Sequence, residues 1–377
     1  MSSSVQYNDG KESLLKRAMY ALPLLLGTYG ASQTMGVLVA QIGPSLINSV
    51  KTGQVTLGNG EIVPLVRKFF GIGGLDKILS ILVTFFTPTL GSYDALGKLQ
   101  TTAFLGDLVP LQALWYVESV RRGNYMTAAY LLPTVLGVAY QAKGLGYIAP
   151  IWFFLHYVQS PVGNYHAADQ RLTQVNAVKA IIPTIVLSFL APSVAMLNAP
   201  GLANRQWING LFWQLFPLSG AICQRLLSLL IKDTTETDRL SNPEADMKHL
   251  RRVYWAAGIF AMATNLYVRI TSPFPLKDVF FKDIASPSAP ATLISGAARF
   301  LRYDQLMTFG PALVWAMMHF YDLKKSQKTK TGWATFVGAL AGTTIVGGPG
   351  AAMIGFWAWR EEALAATASR KKVVKKN

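Results

Sequence analysis

The chain has 377 residues and a formal net charge of +16, with 51% hydrophobic and only 14% charged residues. Its mean hydropathy is +0.30, and soluble domains carry about 25% charged residues, so composition argues against an ordinary soluble protein. The basic residues lie between and after apolar blocks and form no single basic face, which argues against nucleic acid and follows the positive-inside pattern. The lone Cys223 rules out an intrachain disulfide and a cysteine metal cluster.

In chain order, apolar blocks fall near 19–42, 75–91, 102–119, 124–140, 145–160, 178–197, 207–231, 252–270, 305–322 and 333–358. Most are long enough to cross a hydrocarbon core of about 30 Å, and a backbone inside lipid must pair with itself, so each block predicts a helix. The first block reads as a retained span, not a cleaved signal. Residues 75–91 contain "TFFTPTLG", a helix-breaking run that suggests partial insertion. The last block contains "IVGGPGAAMIG", where a break at Gly347–Gly350 would make a hairpin. Residues 43–74 and 271–304 read as long loops, and 232–251 as a charged one. If 75–91 dips in and returns, most basic clusters fall on one side. They lie at 11–17, 121–122, 248–252, 324–330 and in the tail. The expected fold is all-α: a polytopic transmembrane helical bundle of about 8 full spans plus one or two re-entrant segments. Its expected parts are a cytoplasmic segment 1–18, a transmembrane domain 19–358 and a basic cytoplasmic tail 359–377.

Ionisable residues inside such blocks mark function by default, since a charge at the bilayer centre costs at least about 2.5–3.5 kcal/mol. Asp107 and Glu118 lie eleven residues apart in "AFLGDLVPLQALWYVESVRR". That is about three turns, so both carboxyls face nearly one way, roughly 16 Å apart along the axis. A buried acid lining a cavity can donate a proton, whereas the plainer reading pairs Asp107 with a neighbouring span and Glu118 with Arg121 or Arg122. His156, with Trp152 one turn before and Gln159 one turn after, could relay a proton or simply bond a neighbouring helix. His166, Asp169 and Arg171 read as a solvated interfacial network. Asp304 opens the block that ends with His319 and Asp322, and is either an acid at a pocket mouth or a carboxylate favoured by a helix N-terminus. Trp115, Trp152, Phe212, Trp213 and Trp315 offer aromatic faces for a passing cation, although such stripes usually pack a core. The candidate catalytic residues are therefore Asp107, Glu118, Asp304 and His156. Trp115, Trp152, Gln159 and Trp315 are the candidate substrate contacts.

There is no Walker loop, no GxGxxG in a strand–helix setting, no HExxH and no GxSxG elbow. The aspartate-rich motifs that hold magnesium diphosphates are also missing, so no metal and no cofactor is expected. Any isoprenoid chemistry would then begin by protonating an alkene or epoxide.

"PIWFFLHYVQSP", the following "AADQRL" and the later "FLRYDQLMTFGPALVWAMMHFYDLKK" resemble the fungal membrane-bound terpene cyclases of the ascofuranone type. That family includes integral membrane proteins of indole-diterpene clusters. The resemblance runs from about residue 20 to 358. It implies proton-initiated, metal-independent cyclisation of a lipophilic prenylated or epoxidised intermediate in a multi-pass protein of the endoplasmic reticulum, with the bilayer as its other partner. It carries over no catalytic motif residue by residue. The competing reading is a transporter or non-catalytic accessory protein, supported by the broken last block, because discontinuous helices often form transport sites.

Overall fold

The computed structural model describes residues 13–57, 60–165, 168–232, 244–286, 288–290 and 292–374. The apolar blocks fold as helices. α1 (Leu14–Ala31) runs through a π-helical turn, Ser32–Gly36, into α2 (Val37–Thr52). A short hairpin of β1 (Gln54–Thr56) and β2 (Ile62–Pro64), with Val55 opposite Val63, is the only sheet among the described residues. α3 (Gly73–Leu90) carries the "TFFTPTLG" run as helix as far as Leu90, with Pro88 inside it, so the run ends the helix without breaking its middle. α4 (Ala95–Ser119) starts where the Asp94 carboxylate accepts from the Gly97 amide at 2.9 Å, a side-chain cap on an otherwise unpaired donor.

Next come α5 (Ala128–Lys143), α6 (Leu145–Gln159) and the single turn α7 (Ala168–Arg171). α8 (Val175–Ile185) continues through a second π-helical segment, Val186–Leu190, into α9 (Ala191–Asn198). α10 (Leu202–Ile208) continues into a third, Asn209–Trp213, before α11 (Phe216–Leu230). α12 (Met247–Thr271) and α13 (Leu276–Phe281) precede α14 (Leu293–Lys325). α14 starts inside the expected loop 271–304, because Thr292 and Ser295 cap each other's end of the first turn in a capping box. α15 (Trp333–Gly347) and α16 (Pro349–Val374) are separated at Gly348, whose φ of +89° few side chains would accept. The expected break is there, and the two helices pack on each other. α16 runs past 358, so the expected tail boundary falls inside a helix.

α1 packs between α6 and α14, and α4 between α12 and α16. Gly27 lets α1 approach: a Cβ there would sit 2.8 Å from Pro150 Cγ on α6 and nearer still to Pro311 on α14. Contacts along these helices fix their directions. Arg17 near the start of α1 reaches Asp322 near the end of α14, and Arg251 near the start of α12 reaches Glu362 on α16. Arg121 just past α4 reaches Glu361 on α16. The segments holding Arg17, Arg121, Arg251, Lys324 and Arg360 therefore gather at one end of the bundle.

Among the described residues one helix, Val175–Asn198, is long and apolar enough to cross a membrane; Phe216–Leu230 and Trp333–Gly347 are shorter apolar helices. The helices also carry large apolar side chains outward, among them Leu15 and Leu26 on α1, Leu226 and Leu230 on α11, and Trp255 and Ile259 on α12. Inside the bundle, by contrast, lie Arg17, Asp107, Glu118, Arg121, Asp304, Arg360 and Glu361.

Candidate active site

A cavity of about 380 Å³ opens between α2, α3, α4, the α5–α6 corner, α11 and α14. That size suits one small lipophilic ligand. Its wall is aromatic. Phe86 meets Trp213 edge-on with ring centroids 5.0 Å apart, Phe85 meets Phe300 at 5.1 Å, and Tyr140 tilts against Phe216 at 5.9 Å. Two of the three π-helical segments end on this wall, at Gly36 and at Trp213. Such local unwinding re-aims side chains and recurs at functional sites.

Among the described residues Asp304 is the one acidic side chain on the wall, which Lys143 also lines. Its Oδ1 accepts from the Gly146 amide at 2.6 Å, and the Leu145 amide also faces it. Those amides are unpaired donors in the first turn of α6, so the carboxyl of one helix occupies the N-terminus of another. Gly144 makes the corner. Its φ is +98°, and a Cβ there would crowd Met35 and Phe300 and stand 3.3 Å from Asp304 Oδ1. Among the described residues no lysine or arginine forms an ion pair with Asp304. Thr101 lines the same cavity, and its buried Oγ1 has no hydrogen-bond partner.

Asp107 lies close by in the bundle but not on the cavity wall. Its Oδ1 accepts from Asn265 Nδ2 and from the Gly350 amide, and its Oδ2 from Gln305 Nε2, each at 3.0 Å. Asp107 thus ties α4 to α12, α14 and the N-terminus of α16. Gln305 follows Asp304 in sequence and also accepts from Gln100 Nε2 at 3.0 Å, so this network fixes the turn of α14 that bears Asp304.

The other sequence-derived candidates gather at the basic end. Glu118 accepts from Arg121 Nη2 at 2.9 Å, Asn124 Nδ2 at 2.7 Å and Trp357 Nε1 at 2.9 Å. His156 Nε2 lies 3.5 Å from the same carboxylate. Glu361 joins through Arg121 at 3.0 Å and Arg360 at 3.1 Å, so two carboxylates meet two guanidiniums. His156 stacks on Trp152 at 4.7 Å and accepts from Trp315 Nε1 at 3.3 Å, and Trp315 stacks on Trp357 at 4.5 Å. Trp115 lies between the two regions, with its ring centroid 5.8 Å from that of Tyr140 and 5.7 Å from that of Trp152. Gln159 Oε1 accepts from the Ala128 amide at 2.7 Å and so caps the first turn of α5.

Of the eight candidates, Asp304 alone lines the cavity. His166 lies outside the described residues, as does the side chain of Asp169, while Arg171 donates to the Tyr165 carbonyl at 3.0 Å. Phe85, Phe86, Tyr140, Phe216, Phe300 and Thr101 were not singled out by sequence. The adjacent phenylalanines beside a proline were the one available signal. Among the described residues no three His, Cys, Asp or Glu side chains stand close enough to hold a metal ion.

The sequence is similar to those of known proteins. The family model described as the CtvD domain matches residues 44–365. A protein of Botryotinia fuckeliana, FAD-dependent monooxygenase BOA8, is 35% identical over 270 residues, 71% of this chain but 34% of its own length. FAD-dependent monooxygenase verC1 of Penicillium polonicum is 29% identical over 97% of this chain and 45% of its own length. Terpene cyclase ascI of Acremonium egyptiacum is 28% identical over 70% of this chain and 71% of its own. The chain thus spans less than half the length of each of these monooxygenase-named relatives. No solved structure matches it.

Proposed function

The chain belongs to the CtvD domain family, and from that premise we propose that it is an integral-membrane terpene cyclase of fungal secondary metabolism. In this reading Asp304 protonates a prenylated, epoxide-bearing intermediate folded in the aromatic cavity. The observation that carries the reading is a carboxyl held by backbone amides, in no ion pair among the described residues, on the wall of a largely aromatic cavity that Lys143 also lines. In this reading Asp304 bears its proton before substrate binds.

The Asp304 proton passes to the epoxide oxygen. The C–O bond opens as the π electrons of a neighbouring alkene form the new C–C bond, and positive charge moves to the far alkene carbon. The faces of Trp213, Phe86 and Phe216 stabilise that charge. A proton then leaves the cation for the Asp304 carboxylate, which restores the acid. Substrate and product are isomers, and the sequence needs no metal or cofactor. Asp107 acts through Gln305 to hold α14 in place, and the His156 and Glu118 cluster stands apart from the reacting atoms.

The membrane reading, with several spans and a location in the endoplasmic reticulum, is supported by outward-facing apolar side chains on most helices and by basic clusters at one end. The cyclase reading is supported by the relatives named terpene cyclase. Oxidation is not assigned to this chain, because it covers less than half of the monooxygenases it matches and carries no dinucleotide-binding glycine loop. Transport is disfavoured: the N-terminus of the broken helix, which would have to face a substrate, is occupied by the protein's own Asp107.

The test is expression in yeast fed an epoxidised prenyl phenol. A cyclic product of unchanged mass is expected. Recovery of the fed compound alone, inside or outside the cells, overturns the proposal.

A further inference from the structure

Threonines inside a helix commonly turn the hydroxyl back to the carbonyl one turn earlier. On α3, Thr84 and Thr87 donate in this way to Ser80 and Val83, at 2.7 and 2.8 Å, and on α4 Thr102 donates to Lys98 at 2.8 Å. Thr101, the residue before, makes no such bond. It is buried, it lines the aromatic cavity, and its Oγ1 has no partner among the described residues. A hydroxyl taken out of water without a partner costs free energy, and a ligand atom that pairs with it removes that cost. We propose that Thr101 fixes the oxygen of an epoxide-bearing ligand in this cavity and so selects epoxides over plain alkenes.

The position of Thr101 fits that role. Gln100, one residue earlier, donates through Nε2 to the Leu301 carbonyl at 3.2 Å and to Gln305 Oε1 at 3.0 Å. These bonds pin this turn of α4 to the turn of α14 that bears Asp304, so Thr101 and Asp304 lie at one level of the bundle, both on the cavity wall. Between and beside them the wall is Phe104, Leu105, Phe300 and Leu301, whose side chains cannot hydrogen-bond. An epoxide oxygen has two lone pairs and no hydrogen, so it can accept from the Thr101 hydroxyl and the Asp304 carboxyl together. When the C–O bond opens, the proton from Asp304 stays on that oxygen, and the resulting hydroxyl still accepts from Thr101. An alkene in the same place offers no acceptor and leaves the Thr101 hydroxyl unpaired. Thr184 and Thr308 are also buried without a partner, but neither lines this cavity, so Thr184 serves as a control.

The inference rests on the cyclase reading of this site and names what the site recognises. Its test uses protein bearing Asp304→Asn, purified in detergent, so that binding is read without turnover. The ligands are an epoxidised prenyl phenol and the same phenol with its alkene intact, and affinity is read from tryptophan fluorescence. Thr101→Val in this parent should lower epoxide affinity about fivefold, the effect of one hydrogen bond, and leave alkene affinity unchanged. Thr101→Ser should hold the epoxide nearly as the parent does, and Thr184→Val should change neither ligand. Thr101→Val should also melt no lower than the parent, because the lost hydroxyl bonds nothing in the protein. Undiminished epoxide affinity in Thr101→Val, an equal loss for both ligands, or a lowered melting temperature overturns the site, as does a parent that binds neither ligand. The cyclase reading fails separately: wild-type protein that forms no cyclic product, while Thr101 still governs epoxide binding, keeps this site and loses that reaction.

Discussion

Glu118 and Asp304 are both buried carboxyls in one helical bundle, yet they have opposite surroundings. Glu118 meets a guanidinium, an amide side chain and an indole N–H, and its neighbour Glu361 is ion-paired as well. Asp304 meets two backbone amides and an aromatic cavity. A carboxylate whose oxygens are all taken by such partners has no free side from which to hand a substrate a proton. A carboxyl anchored on one side and open to a cavity on the other can exchange one. Burial alone does not mark an acid for catalysis; its partners decide.

The comparison can be broken first at the ionic end. Arg121→Met would leave Glu118 and Glu361 with far less compensation, and losing one partner of a buried ion pair costs about 3–5 kcal/mol. The expected result is a steep loss of thermal stability in detergent. A change under about 1 kcal/mol would mean that this network is not structural. Trp213→Ala sharpens the cavity end. Removing one aromatic face from a desolvated cation costs about 2 kcal/mol, or about thirtyfold in turnover per folded molecule. An unchanged rate would remove this wall from the chemistry. The smallest effect is expected for Gln159→Leu, which deletes the cap on the Ala128 amide. Stability should fall by about 1 kcal/mol while turnover of the folded fraction stays the same. A selective loss of turnover would return Gln159 to the substrate.

The helices were legible because helices that carry apolar side chains outward and helices that pack the core are both apolar here, so the apolar blocks mark them. The Gly347–Gly350 break was legible for a local reason, two glycines before a proline. The helical start of α14 was not, since Pro287 and Ser288 disguise what Thr292 and Ser295 then cap. Asp304 was visible as an acid, but its partner Gly146 lies 158 residues away. The cavity wall was hidden for the same reason: Phe85, Tyr140, Trp213 and Phe300 come from four separate segments. Spacing along α4 put Asp107 and Glu118 on one face, but it could not say that Asn265 and Gly350 would meet the first and Arg121 and Trp357 the second.

The most direct test of the account compares Asp304→Asn with Glu118→Gln in purified protein, with product formed per folded molecule as the readout. The account predicts that Asp304→Asn folds like the wild type and loses about 10²–10⁴ in turnover, the usual contribution of a positioned acid. It predicts that Glu118→Gln is less stable but that its folded fraction still cyclises substrate. Undiminished turnover in Asp304→Asn, or abolished turnover in well-folded Glu118→Gln, would contradict it.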